Sequence, residues 1–318
     1  MTGGAGFVGS HIADRLIEDG HKVRVLDNLS AGCLENLRDL LGREGFHFMK
    51  GDVADPSTLR KALKNVEVVF HEAALVTVPR SIVDPIPTNE VNVTGTLRLL
   101  KASADLGVQR LIYASSSSVY GDCGKRKIKE DSIPRPMSPY AVSKLAAENY
   151  CLTFNTLDRL ETVNLRYFNV YGPRQSVGPY SGVITAFQDR LRKSQPPIIQ
   201  GDGRQTRDFV HVRDVVEANM LAMAVKKAAG EAFNIGTGLS TSISKLAEII
   251  IEARGREKIR PVYAPPRRGD VRHSCADIGK ARRILGYSPT VRLRDYVREL
   301  AGKGHQMPVG TYSSIRKP

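Results

Sequence analysis

The run Met1-Thr2-Gly3-Gly4-Ala5-Gly6-Phe7-Val8-Gly9-Ser10-His11 decides the fold. Glycines at 3, 6 and 9 permit a tight turn, close approach of the backbone to a pyrophosphate and close packing of the helix that follows. Ile12, Leu16 and Ile17 then recur at helical spacing, so the turn opens a helix whose first amides face a phosphate. Such glycines alone mark only a turn. The next apolar run, Lys22 to Leu26, ends in Asp27-Asn28, about twenty residues on, where an acid accepts hydrogen bonds from an adenosine ribose. An acid at that place disfavours a 2′-phosphate. The two signals together predict a dinucleotide site that prefers NAD to NADP.

Strands and helices go on alternating. Phe46 to Lys50 leads to Gly51-Asp52-Val53, an acid at a strand end that suits an adenine amino group. Val66 to Phe70 leads to His71-Glu72-Ala73-Ala74, small residues that let backbone approach the cofactor. A helical segment from about Thr88 carries Asn92, Leu97, Leu99 and Leu100, and Leu111 to Ala114 opens into Ser115-Ser116-Ser117-Ser118-Val119-Tyr120-Gly121. Hydroxyls at the carboxyl end of a parallel strand stand where such sheets bind ligands. The pattern predicts an α/β fold, a Rossmann-type doubly wound parallel sheet with a smaller C-terminal lobe. Residues 1–172 are assigned to the dinucleotide-binding domain, with segments near 205–236 returning to it, and 173–318 mainly to the substrate lobe. Asp208 to Val212 and Ala232 to Ile235 read as short strands, Asp214–Lys226 and Ser242–Arg254 as helices. A sheet of this kind expects roughly four or five apolar residues ahead of Thr2. The chain as written is therefore expected to be less stable than one extended upstream.

In Ser138-Pro139-Tyr140-Ala141-Val142-Ser143-Lys144, Tyr140 and Lys144 share one face of a helix running to about Leu157. An ammonium beside a phenol favours the phenolate and lowers a pKa that starts near ~10. The result is a base for a bound alcohol.

Composition narrows the class. Hydrophobic residues make up 41% and charged residues 25% of 318, ordinary for a globular protein. No apolar run reaches the roughly 18 residues that span a bilayer, and the Gly-rich start does not read as a signal peptide. Cys33, Cys123, Cys151 and Cys275 are scattered, without Cys-x-x-Cys or histidines in ligand spacing. They read as free thiols in a reducing cytoplasm, with no metal site. Net charge is +14, and from Ala253 to Pro318 there are 16 Lys/Arg against 5 Asp/Glu. That excess suits a polyanion or an anionic substrate. With few aromatics among the basic residues, the substrate reading is adopted, and neither nucleic acid nor membrane is expected as a partner.

With these residues in place the chain resembles the extended short-chain dehydrogenase/reductase family, specifically its nucleotide-sugar 4-epimerases. Besides the motifs above, the resemblance rests on Asn92-Val93-Thr94-Gly95-Thr96, Arg166-Tyr167-Phe168-Asn169-Val170-Tyr171-Gly172, Arg207-Asp208-Phe209-Val210-His211 and Arg267-Arg268-Gly269-Asp270, in family order from Thr2 to about Leu300. It implies an NAD-dependent isomerase of the UDP-glucose 4-epimerase type, a homodimer joined through the segment from about Thr88 to Leu106 and the Tyr140 helix. Tyr140 is implied to take the sugar 4-OH proton, Lys144 to bind the nicotinamide ribose, and Ser116 to hydrogen-bond the same sugar oxygen. Cofactor contacts are implied at Gly3, Gly6, Phe7, Val8, Gly9, Asp27, Asn28, Ser30, Gly32, Asp52, Val53, Ala73, Ala74, Asn92 and Phe168. Asn169, Arg207 and Arg267 are implied to hold the UDP moiety, guanidinium forks being suited to phosphate. Thr77, Ser117, Val183, Gln200, Asp270 and Ser274 complete the implied substrate contacts.

Departures from relatives narrow the chemistry. Sugar 4,6-dehydratases carry Asp-Glu directly after the Ser/Thr, where this chain has Ser117-Ser118, so elimination of water lacks its acid and base. In glucose-restricted epimerases a tyrosine walls the sugar pocket two residues before Ala276-Asp277, and Ser274 stands there instead. A small residue leaves room for an N-acetyl group, so UDP-N-acetylhexosamines are expected beside UDP-glucose and UDP-galactose. The rivals are a UDP-glucuronate epimerase or decarboxylase, a nucleotide-sugar reductase, and a binding protein that holds NAD without catalysis.

Overall fold

The computed structural model describes residues 1–175, 182–266 and 269–302. Its main sheet is built from β1 (Val23–Asp27), β2 (Phe46–Lys50), β3 (Val68–His71), β4 (Arg110–Ser116), β5 (Glu161–Tyr167) and β6 (Glu231–Ile235). Strand β1 pairs in parallel with β2, and β3, β4, β5 and β6 pair in parallel in that spatial order. The backbone of Met1–Gly3 joins the two halves. Thr2 donates its amide to Phe70 O (3.0 Å) and accepts from Glu72 N (3.1 Å), while Gly3 N reaches Leu26 O (2.9 Å) and Leu26 N reaches Met1 O (2.8 Å). The sequence-based α/β expectation and the observed sheet agree.

Side chains alternate across the sheet, as the pleat requires. Ile112 and Ala114 face one apolar cluster with Ile12 and Leu16 of α1 (Phe7–Glu18). Leu111 and Tyr113 face the other, with Leu99 and Leu100 of α2 (Thr96–Asp105). A third cluster, around Phe187, Leu246 and Ile250, fills the second lobe. Beyond Gly172 lie short strand pairs the sequence did not announce: Ile198–Gln200 with Val262–Ala264, and Thr206–Arg207 with Thr241–Ser242. The single helix expected from about Thr88 is interrupted: Glu90–Gly95 is a wide π-helical turn ahead of α2, a local widening that often serves a site.

The helix bearing Tyr140 is α3 (Pro139–Thr156). Ser138 caps it, its Oγ accepting from Ala141 N (3.2 Å), and Pro139 fills the first position, where its missing amide is harmless. Further along, Glu148 is 1% exposed and lies against Arg166 of β5, itself 6% exposed. Arg166 Nε donates to both carboxylate oxygens (3.1 Å each), Arg166 Nη1 donates to Tyr120 Oη (2.6 Å), and Ser115 Oγ donates to Glu148 Oε2 (2.6 Å). This network clamps α3 to β4 and β5. Breaking one side of a buried pair leaves a charge without compensation. Glu148→Ala is therefore expected to lower stability by about 3–5 kcal/mol in urea denaturation; a loss below about 1 kcal/mol would contradict the clamp.

Candidate active site

Three elements bring Ser116, Tyr140 and Lys144 together. Ser116 is the last residue of β4, at the carboxyl end of the sheet. Tyr140 stands in the first turn of α3, and Ser81 fixes it there by accepting Tyr140 N at its Oγ (3.1 Å). Ser81 is fully buried on the short helix Val78–Val83 and donates to Val78 O (2.7 Å). One turn beyond Tyr140, Lys144 is 3% exposed and donates from Nζ to Ala114 O (2.7 Å).

The electrostatics differ in one respect from the sequence-based expectation. Burial pushes the Tyr140 phenol above its ordinary value, and a hydrogen bond with Ser116 pulls it back. Lowering by Lys144 was expected, but its ammonium is directed at the Ala114 carbonyl. Burial brings Lys144 itself down to about 8, opposed by Glu72 and Cys151.

A small cavity of about 90 Å³ lies at the carboxyl ends of β1, β2 and β3. Of the residues expected to hold a cofactor, Gly3, Gly6, Asp27, Asn28, Ser30 and Gly32 line it, as do Asp52, Val53, Ala73 and Ala74. Phe7, Val8 and Gly9 open α1 just behind the glycine turn. The cradle fits a dinucleotide. Gly3 has φ 68°, and a Cβ there would sit 2.5 Å from Ala73 N, so bare backbone faces the space a pyrophosphate needs. Asp27 is 8% exposed and accepts from Ala5 N (3.0 Å) and Leu29 N (2.8 Å), which aims its carboxylate while leaving lone pairs for a ribose.

A second cavity, of about 270 Å³, opens at the end of β4. Ser116, Ser117, Asn169, Arg207, Asp270 and Ser274 line it, and so does Phe168, which was expected at the cofactor instead. Arg207 is 9% exposed, donates to Thr206 O (2.7 Å) and pairs with Asp270. Ser274 is held at the wall by its amide, which donates to Thr206 O (3.2 Å). Behind it, Asp208 accepts from Thr237 N and Gly238 N (2.8 Å each) and Ala276 N (3.1 Å), tying two loops to the Arg207 strand.

Other expected residues are placed differently. Asn92 is 1% exposed and spends its amide on Leu75 O and Ser143 Oγ (3.0 Å each) and on Leu75 N (2.8 Å), so it bolts the segment after Ala74 to α3. Thr77 precedes the Val78–Val83 helix, whose Val78 and Pro79 reach the larger cavity in its stead. Val183 opens the Val183–Arg192 helix, and Gln200 ends its strand with its carbonyl accepting from Gln205 Nε2 (2.5 Å). Arg267 lies outside the described residues. Sequence reasoning missed Ser81, Ser118 and Glu72. Ser81 and Ser118 act through contacts that no periodicity reveals, and a glutamate at a strand end carries no signal until its neighbours are known.

Residues 1–236 match the NAD dependent epimerase/dehydratase family, and the chain belongs to that family, whose cofactor is NAD. A putative UDP-glucose 4-epimerase of Methanocaldococcus jannaschii is 40% identical over 305 residues, 94% of this chain and 96% of that protein. The UDP-glucose 4-epimerase of Thermotoga maritima, solved with UDP-glucose, superposes with a TM-score of 0.89 at 40% identity, covering 95% of this chain and 96% of that one. The UDP-N-acetylglucosamine 4-epimerase of Methanobrevibacter ruminantium, solved with UDP-N-acetylmuramic acid, gives 0.89 at 38% identity, covering 95% and 96%.

Glu72 stands at the cofactor cavity beside this machinery. It accepts from Tyr167 Oη (2.8 Å), which in turn accepts from Asn219 Nδ2 (2.8 Å). Burial pushes its carboxyl up to about 7, against the Tyr167 hydrogen bond and the Lys144 ammonium. A raised carboxyl holds its proton in the folded chain while the unfolded chain has released it. Its contribution to stability is thus lost as pH rises from the ordinary 4.5 to about 7. Glu72→Gln removes this titration. Relative to the parent, the variant is expected to gain on the order of 1–3 kcal/mol in chemical denaturation between acid and mildly alkaline pH; parallel stability–pH curves would contradict the assignment.

Proposed function

We propose that the chain interconverts UDP-hexoses at C4 with a retained NAD, acting on UDP-glucose and UDP-galactose and also on their N-acetylated counterparts. The observation that carries this reading is the seam itself. Ser116 lines the chamber walled by Asn169, Arg207 and Ser274, and Lys144, held on Ala114 O, lies within electrostatic reach of Glu72 on the wall of the dinucleotide cradle. Tyr140 takes the 4-OH proton, with Ser116 bound to the same oxygen. Lys144, anchored through Nζ on Ala114 O, offers its remaining donors to the cofactor ribose. NAD, when bound, accepts hydride from C4 and returns it. Arg207, Asn169 and Arg267 grip the nucleotide diphosphate, with Asp270 on the Arg207 guanidinium, leaving the keto sugar free to present its other face. Among the described residues lining the chamber, Arg207 is the one cation and it pairs with Asp270.

The reading extends to organisation. We take residues 1–172, with the return through 205–236, as the NAD-binding domain and 173–318 as mainly the substrate lobe. Val142 (52% exposed) and Tyr150 (39%) stand out from α3, beside Val83 (86%) and Ile86 (63%) on the helical turns packed against it. Apolar side chains gathered in this way support a homodimer through this face. The four cysteines are all free, in keeping with a cytoplasmic enzyme.

Incubation with UDP-galactose or UDP-N-acetylgalactosamine, without added NAD, is expected to yield the gluco epimers; no conversion of either would overturn the reading. Tyr140→Phe should lower kcat by about 10²-fold or more with UDP binding nearly intact, and retained turnover would remove Tyr140 from its role. Ser274→Tyr should selectively abolish turnover of the N-acetylated sugars; an equal effect on UDP-galactose would count against Ser274 as the size filter.

A further inference from the structure

One hydrogen bond joins the two cavities, and catalysis by Ser116, Tyr140 and Lys144 makes no use of it. Glu72 lines the dinucleotide cradle, Tyr167 lines the larger chamber, and Tyr167 Oη donates to Glu72 Oε1 (2.8 Å). The backbone sets up this meeting. Glu72 follows directly on β3, its amide donating to Thr2 O (3.1 Å), and Tyr167 ends β5 in register with Ser116 at the end of β4. A side chain next to β3 thus reaches one on β5 across the end of β4, where the wall of the cradle becomes a wall of the chamber. A hydride that passes between dinucleotide and sugar has to cross at such a junction, so the nicotinamide end of NAD belongs beside Glu72.

The hydrogen bonds leave Glu72 a charge to use. Tyr167 Oη accepts from Asn219 Nδ2 (2.8 Å) and spends its single proton on Glu72 Oε1, so that oxygen is an acceptor and the carboxyl is free to ionise. The titratable and charged groups that face it are Tyr167 from β5, Tyr113 from β4 and Lys144 from α3. The oxidised nicotinamide ring is a cation and the reduced ring is neutral. A carboxylate beside the ring attracts the first and not the second, a difference worth about tenfold or more in affinity. We propose that Glu72 sets the redox poise of the retained cofactor, holding it as NAD between turnovers and making the reduced form, with its keto sugar, the short-lived one. Tyr167 is the positioning residue that keeps the carboxylate at the junction.

This role for Glu72 rests on hydride transfer to NAD, as in the proposed function, but its test turns over no sugar. The holoenzyme and its Glu72→Gln and Tyr167→Phe variants are equilibrated at roughly pH 8 with mixtures of free NAD and NADH, then desalted. The ratio of bound NADH to bound NAD is read from the absorbance of the reduced ring. Glu72→Gln keeps the shape and an acceptor for Tyr167 but loses the charge, and its ratio is expected to exceed the parent's by about tenfold or more. Tyr167→Phe keeps the charge, and Asn219 Nδ2 keeps Val215 O (2.8 Å) as a partner, so its ratio should stay within about threefold of the parent's. A Glu72→Gln ratio equal to the parent's overturns the proposal. So does an equal rise in both variants, which would trace the effect to the lost hydrogen bond instead of the charge. Failure to convert UDP-galactose would strike the proposed function alone and leave this ratio as it was measured.

Discussion

How closely backbone can approach backbone at the middle of the sheet governs everything around it. Thr2 is hydrogen-bonded between Phe70 and Glu72, and Gly3 turns at φ 68° against Ala73 with no space for a side chain. That pinch draws the carboxyl ends of β1 and β3 together. Asp27, the glycine turn and Ala73-Ala74 thereby become walls of one cavity. Any larger residue at position 3 would have to push the strands apart and open the cradle. The same edge of the sheet carries Ser116 at the end of β4, the neighbour of β3, so the proposed site inherits its place from this contact.

Around that edge the chain buries charge and makes it work. Lys144 points at the end of β4 through Ala114 O, Glu72 sits on Tyr167, and Glu148 holds Arg166 under α3. Each ionisable group has a partner that fixes its direction. Burial in turn brings Lys144 and Glu72 to about 8 and about 7, close to one another. Groups balanced in this way change state with small changes in their surroundings, which suits a centre that must pass a proton out and take it back.

Much of this was legible in the sequence, for physical reasons. The glycine turn, Asp27 and the apolar strand runs are dictated by local sterics and by a two-residue pleat, so the sheet and the cofactor cavity could be read directly. Ser116, Tyr140 and Lys144 stood out because strand end and helix spacing put them on one side. Other parts depend on contacts between distant segments. The role of Asn92 as a bolt between Leu75 and Ser143 needs the wide turn at Glu90–Gly95, which the apolar spacing from Thr88 conceals. The short strands beyond Gly172, two or three residues each, leave no periodicity to detect. The effect of Lys144 on Tyr140 was misjudged because helix spacing gives proximity but says nothing of Ala114 O as a competing acceptor.

The central claim is that one seam removes a hydride and a proton from C4 and returns the same hydride to the opposite face. UDP-galactose carrying deuterium at C4, turned over in ordinary water by the protein as isolated, tests it most directly. The account predicts that the UDP-glucose formed keeps the deuterium at C4. Loss of the label to solvent would contradict it, because the hydrogen would then have left as an exchangeable proton.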